Sequence, residues 1–445
     1  MSLDRPNKSI ARGLMIAAPR SGGGKTTLAL GLMRAFADRG QRVVSAKSGP
    51  DYIDCAFHSA ATRRPSVNLD TWAMSNALVH GLARSISEDS DFFIAEGSMG
   101  LFDGVPAGAG RSGSSADLAA TLELPVLLVV DVSGQAQSAA ALVKGCALYD
   151  PRINIKGVVL NKVGSERHRR LAGDAVDALG VSVVGALPRD SDISLPERHL
   201  GLVQAEETSD LDRRLTRLSQ FVSQHVDMEA VQALATPLHF ASGDAASIPP
   251  PGQRIAVARD AAFSFVYPHL VMSWRLHGAD IQFFSPLANE PPPADADVCW
   301  LPGGYPELHA GRLANSRRFL DGVRSFAESK AVHGECGGYM TLGRSLIDAD
   351  GRAYAMADLL SVETSFAKRK LTLGYRQLSL KDDCLLGRRG GFLLGHEFHY
   401  ATIVATGPDP AFAIATDAYG GPPHLVGSRR GNVSGCFFHA IAAAR

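Results

Sequence analysis

The chain has 445 residues, 45% hydrophobic and 20% charged, enough for two or three domains with ordinary cores. Lys+Arg and Asp+Glu number 45 each, a balance that removes the simplest electrostatic argument for nucleic acid as a partner. No apolar run reaches the ~18 residues needed to span a bilayer and no secretory leader is visible, so no membrane partner is expected. Six cysteines, at 55, 146, 299, 336, 384 and 436, include no CxxC pair. That spacing argues against a zinc ribbon or disulfide framework and for a reduced, cytoplasmic protein.

The first half alternates apolar runs with helical stretches. The runs are GLMIAA (13–18), RVVSA (42–46), DFFIAEG (91–97), PVLLVVD (125–131), KGVVLN (156–161) and VSVVGALP (181–188). They are apolar on both faces, as buried parallel strands are, and predict a doubly wound α/β domain over 1–235. A charged helical segment covers 206–235. The stretch 236–253 lacks periodicity, ends in three prolines and reads as a linker. A second α/β pattern then occupies 254–445, with runs RIAVARD, DIQFFSP, DVCWLPGG and KAVHGECGG. The later segments GYRQLSL, GFLLGHEFHY and NVSGCFFH predict further, antiparallel strands.

PRSGGGKTT (19–27) follows the first strand and opens a helix. In that setting Gly22, Gly23 and Gly24 let backbone amides converge on phosphate oxygens at a helix N-terminus, and Thr27 lies in the same turn. Lys25 is placed to reach the β- and γ-phosphates of ATP and Thr26 to ligate Mg²⁺. Pro19 stands where GxxxxGK[ST] has its first glycine, so a glycine-rich helix cap is the alternative. Arg20 stands where partition-type ATPases carry a lysine, though the two residues differ chemically. Mg²⁺ needs hard oxygen ligands. Glu96 ends a strand at the crevice and is the first metal candidate, with Asp51 after the second strand. Asp54, Asp103 and Lys47 are candidates for contacts to substrate or the moving phosphoryl group, and Asn161 for reading adenine. For each acid the alternative is an N-cap or a turn.

HGECGGYM (333–340) poses a different chemistry. A cysteine between small residues after an apolar run fits a strained strand-to-helix turn that exposes a nucleophile. Cys336 is that candidate, with a small buried core cysteine as the alternative. His439 is the preferred base, and His333, His396, His399 and His424 are the other histidines that could serve. Gly337 and Gly304, the latter in LPGGYPE (301–307), are the expected oxyanion amides. The remaining cysteines have no such context and are assigned to the core.

GECGGYM, PGGYPE and the late histidine together resemble the class I glutamine amidotransferases. That resemblance implies that Cys336 attacks the glutamine amide, that His439 activates it, and that ammonia is released. Such enzymes usually carry a glutamate two residues beyond the histidine. Here His439 is followed by Ala440 and Ile441, a departure that resembles the cobyrinic and cobyric acid synthase branch. The first half, with GGGKTT, KSGPDYID (47–54), NLDTW (68–72), EGSMGLFDG (96–104) and NKVGSERH (161–168), resembles the dethiobiotin synthetase-like ATPases. The fused order, with GYR (374–376), GHEFHY (395–400) and GNVSG (431–435), resembles the cobyrinic or hydrogenobyrinic acid a,c-diamide synthase family.

The resemblance implies ATP-dependent amidation of a corrinoid acid's a- and c-acetate groups through acyl phosphates, with glutamine as nitrogen donor. Its expected partners are corrinoid acid, glutamine and ATP, and a homodimer is compatible with such a chain. Three alternatives stay open: a cobyric acid synthase-type enzyme, a partition-type switch ATPase, and an ATPase whose second domain is only a scaffold.

Overall fold

The computed structural model of the chain describes residues 10–190, 193, 210–242 and 247–444. The chain divides into two compact units, Met1–Ala245 and Ala246–Arg445. The first is built on β1 (Arg12–Ala17), β2 (Val43–Ser48), β3 (Ser66–Leu69), β4 (Phe92–Glu96), β5 (Val126–Asp131), β6 (Ile155–Val163) and β7 (Ser182–Pro188). These lie parallel in the order β3-β2-β4-β1-β5-β6-β7. Each expected run supplies one of them, and the short SVNL segment adds β3. β2, β3 and β4 are laid on one side of β1 and β5, β6 and β7 on the other, so the crevice beyond its carboxyl end lies where the winding reverses.

Helix α1 (Lys25–Asp38) leaves that crevice and is buried almost continuously from Leu28 to Phe36. The sheet covers one side and the helix Leu211–His225 the other. A Cβ on Gly31 would stand 2.3 Å from Val222 Cγ2 of that helix, so the crossing needs glycine there. Arg34, buried between the two helices, pairs with Asp38 at 3.0 Å and Asp212 at 2.7 Å. The charged segment expected at 206–235 forms this helix and Met228–Leu234; residues 206–209 lie outside the described residues. Thr236–Pro237, read from sequence as the start of a linker, instead form β8, antiparallel to β1.

The second unit has a six-stranded sheet. Its strands β9 (Arg254–Ala258), β10 (Asp280–Phe284), β11 (Val298–Leu301) and β12 (Ala331–Glu335) run parallel in the order β10-β9-β11-β12. Val433–Cys436 then pairs parallel with β12, and Ser428–Arg430 closes the edge antiparallel. NVSGCFFH therefore does not form one antiparallel strand. Its first half extends the parallel sheet, and its second half, in Phe438–Ala443, pairs antiparallel with Phe392–His399. The latter pair belongs to a separate five-stranded antiparallel sheet with Thr372–Leu380, Ala413–Asp417 and His424–Val426. The helix Arg317–Ala327 buries Phe319, Leu320, Val323 and Phe326, a one-sided stripe. Burying a phenylalanine of this kind contributes about 1.5–3 kcal/mol.

Candidate active sites in the two units

In the first unit the turn from β1 to α1 depends on glycine. Gly22 and Gly24 have φ of 69° and 97°, and a Cβ on Gly24 would lie 2.1 Å from Asn161 Nδ2. Asn161, beside the loop on β6, donates from Nδ2 to the Gly23 carbonyl at 2.9 Å. Its Oδ1 accepts from the Lys162 amide at 2.9 Å. The side chain considered for reading adenine thus holds the glycine loop in shape. Lys25 Nζ donates to the Met99 carbonyl and, at 3.5 Å, to that of Arg20. Burial, assisted by the Lys47 charge, brings its pKa down to about 8. Arg20 reaches sideways to Asp131 Oδ2 at 2.6 Å, where Lys162 also donates at 2.9 Å.

The acidic centre lies where β2 and β4 end. Lys47 and Glu96 are register partners on these adjacent strands. Glu96 Oε1 accepts from Thr26 Oγ1 at 2.6 Å and from Lys47 Nζ at 2.9 Å. Glu96 Oε2 lies 2.6 Å from His58 Nε2. Lys47 also pairs with Asp54 Oδ2 at 2.5 Å. Burial alone would raise the Glu96 pKa, but Lys47, His58 and Thr26 outweigh it and hold the carboxylate below its usual range. Burial likewise opposes the Lys47 charge, and Asp54, Glu96 and Asp51 overcome it, so the ammonium is held above its ordinary value. Asp54 goes the other way: burial and neighbouring Asp51 push it to about 6, despite Lys47.

Thr26, Glu96, Lys47 and Asp54 are therefore brought together. Asp51 caps α2 (Tyr52–Thr62), its Oδ1 accepting from the Ile53 and Asp54 amides at 2.8 and 3.2 Å. Asp103 Oδ2 accepts from the Gly100 amide at 2.8 Å and closes a tight turn. Sequence reasoning missed His58, although it lies one helical turn after Asp54, on the same face. It also missed Asp131, which ends the β5 run as Glu96 ends its own.

In the second unit β12 delivers Cys336 at φ 45° and ψ −100°, immediately before the helix Gly337–Leu342. Few L-residues adopt that backbone. It is tolerated because the surroundings are small: a Cβ on Gly338 would lie 1.9 Å from the Leu301 carbonyl oxygen. Gly304, at φ 157°, is packed as tightly against the Ala262 carbonyl. A Cβ on Gly337 would lie 3.1 Å from the Gly304 amide nitrogen, so the two expected oxyanion residues are neighbours. Cys336 is buried with Sγ 3.9 Å from the Phe398 carbonyl. Burial, then Glu307, Glu335 and Glu397, raise its pKa, so the resting sulfur is a neutral thiol that needs a base.

His439 sits on Phe438–Ala443 opposite His396, the ring centroids 5.5 Å apart. Its Nδ1 is 3.9 Å from Oε2 of Glu335, the residue before Cys336, which ties it to the nucleophile's strand. Burial, then His396 and His399, hold its pKa well below the usual value, leaving a neutral imidazole. Among the other histidines, His333 pairs with Ser434 Oγ at 2.9 Å against Trp300. His396 Nδ1 lies 3.4 Å from Tyr267 OH. His399 stacks on Phe437 at 3.9 Å. His424 is exposed on its strand. Burial lowers the pKa of His333 and His396 to about 3 and of His399 to about 4.

These features define a class: a P-loop nucleotide-binding unit fused to a glutamine amidotransferase-like unit. Two family models match accordingly, a "CobQ/CobB/MinD/ParA nucleotide binding domain" over 14–203 and a "CobB/CobQ-like glutamine amidotransferase domain" over 254–445. Curated relatives are similar along their whole lengths. The hydrogenobyrinate a,c-diamide synthase of Mesorhizobium japonicum is 56% identical, over 98% of this chain and 99% of its own. Those of Agrobacterium fabrum and Rhodobacter capsulatus are 53% and 54% identical, over 97% of this chain and 99% of theirs. The chain belongs to the hydrogenobyrinate a,c-diamide synthase family. Among the described residues no helix is long and apolar enough to cross a membrane.

Proposed function

We infer that the chain is a glutamine-dependent carbon–nitrogen ligase that uses ATP to turn the a and c carboxylates of hydrogenobyrinate into amides. The observation that carries the substrate is the 56% identity over 98% of the chain, which spans both units. The two clusters supply the chemistry.

Cys336 attacks the glutamine carboxamide carbon while its thiol proton passes to His439. The Gly304 and Gly337 amides receive the charge that develops on oxygen. His439 then returns the proton to departing ammonia, and water cleaves the thioester to glutamate. A carboxylate is a poor electrophile, since its leaving group would be oxide. In the first unit the acceptor carboxylate therefore attacks the γ-phosphorus of ATP, releasing ADP, and ammonia displaces phosphate from the resulting acyl phosphate. Gly22, Gly23, Gly24 and Thr27 line the phosphate turn, and Lys25 neutralises the terminal phosphates. Lys47, Asp54 and Asp103 border the path of the phosphoryl group and its acceptor.

The donor set suits Mg²⁺, because Thr26 and Glu96 put hard oxygens together beside the phosphate turn, bonded to each other at 2.6 Å. These two would hold the ion. Asp51 is the third candidate, since its helix cap uses only Oδ1. Mg²⁺ supplies charge neutralisation on the phosphates.

The test separates the nitrogen sources. Cys336→Ala is expected to abolish glutamine-supported amidation and to keep ammonia-supported amidation. Equal loss with both donors in folded protein would remove Cys336 from the ammonia-producing role.

A further inference from the structure

His439 lacks an acid at the position two residues later, where Ile441 stands. Another carboxyl group occupies the space beside its ring. Glu335 Oε2 is 3.9 Å from His439 Nδ1, and both side chains are almost wholly buried. The other Glu335 oxygen accepts the Ala440 amide at 3.0 Å, so the carboxyl is fixed to the backbone next to His439 itself. In a regular strand neighbouring side chains face opposite sides. The strained, positive-φ backbone of Cys336 breaks that alternation at the end of β12.

We propose that Glu335 is the positioning acid of this glutaminase site, holding the Nδ1 side of His439 and stabilising the imidazolium that forms when Nε2 accepts the Cys336 proton. This rests on the reading of Cys336 and His439 as the ammonia-releasing pair. A separation of 3.9 Å is ion-pair range, and catalytic contacts of this kind commonly tighten when substrate binds. The proton balance is simple. The thiol proton moves to Nε2, Nδ1–H points at the Glu335 carboxylate, and the same proton later leaves with ammonia. Burial pushes the Glu335 pKa up to about 8, so the competent, ionised form is populated as pH rises. Among the described residues, the other titratable groups around the site are Cys336, Cys436, His396, His399, Glu307, and Glu397, which is bound to Arg376 at 2.9 Å. The one cation in that set already has its own carboxylate partner.

Glu335→Gln keeps the acceptor for the Ala440 amide and removes the charge. The expected result is a drop of about a hundredfold in glutaminase kcat. KM for glutamine should change little. The midpoint of Cys336 alkylation against pH should rise by about one unit or more, because lost support for the imidazolium outweighs relief of the direct repulsion between Glu335 and the thiolate. Glu335→Asp, which keeps the charge, should recover part of the rate. A purely structural role would instead be satisfied by Gln and leave the alkylation profile in place. Wild-type kcat and an unshifted profile in Glu335→Gln, with His439→Ala inactive on glutamine, would overturn the proposal and leave the pair assignment intact. Glutamine-supported activity surviving in Cys336→Ala would instead overturn the pair assignment. A measurement on the unsubstituted acid does not depend on the variants folding. After Cys336 is alkylated by a glutamine-analogue electrophile, proton NMR should show a strongly deshielded His439 Nδ1–H, absent from His439→Ala. A position typical of free imidazolium would overturn the proposal.

Discussion

Replacing Cys336 by glycine should make the second unit more stable than replacing it by alanine. Both substitutions remove the thiol, so their difference isolates the backbone at φ 45° and ψ −100°. That ψ lies outside the small left-handed region open to L-residues, and holding a Cβ there costs about 1–3 kcal/mol. Glycine is free of the clash but loses about 0.5–1 kcal/mol through greater chain entropy when unfolded. The net advantage expected for Cys336→Gly over Cys336→Ala is therefore about 1 kcal/mol. For a unit spanning 246–445, this corresponds to about 2–4 °C in Tm. Differential scanning calorimetry is the suitable assay, because two units need not melt as one transition. Glutaminase activity should be absent from both variants. An alanine variant as stable as the glycine variant would refute strain at the elbow, and with it the reason offered for the small residues around Cys336.

Three further outcomes concern the first unit. Lys25→Ala should reduce synthesis about a hundredfold or more with either nitrogen donor, by analogy with loss of a preorganised electrostatic contact; near-normal ammonia-dependent turnover would remove Lys25 from the phosphates. Burial brings Lys25 to about 8, so in the free enzyme its charge is present below that pH and lost above it. kcat/KM for ATP, with ammonia as donor, should accordingly fall as pH rises through about 8, and a profile that stays level well beyond it would contradict the assignment. Carboxylate oxygen-18 in the acceptor should appear in released phosphate, with ADP as the nucleotide product; AMP and pyrophosphate would point to an acyl adenylate instead.

The features read correctly from sequence are local ones. A β-branched run buried on both faces needs no distant information, and PRSGGGKTT and HGECGG declare their turns because only small residues fit them. Pairing is not local. NVSGC and FFHA look alike as apolar segments, yet one joins the parallel sheet and the other an antiparallel one. Thr236–Pro237 looks like linker because two residues carry no period, and only the stretch of β1 at Arg12 and Gly13, which β5 leaves unpaired, makes them a strand. Glu96 and Lys47 were each singled out, but their contact follows from β4 being laid beside β2, which neither segment encodes. His58 was legible as a helical neighbour of Asp54. Glu335 was not, because nothing in GEC says that its carboxyl returns to Ala440 and His439 more than a hundred residues later.

If one chain both releases ammonia from glutamine and spends ATP to place it on two carboxylates, the amide nitrogen of glutamine must reach both sites. The most direct measurement uses amide-nitrogen-15 glutamine with ATP, Mg²⁺ and hydrogenobyrinate, and reads the product by mass spectrometry. The expected product is a diamide in which both new nitrogens carry the label, with one ADP released per amide. Glutamine consumed without labelled amide, or a product that stops at a single amide while substrates remain, would contradict it.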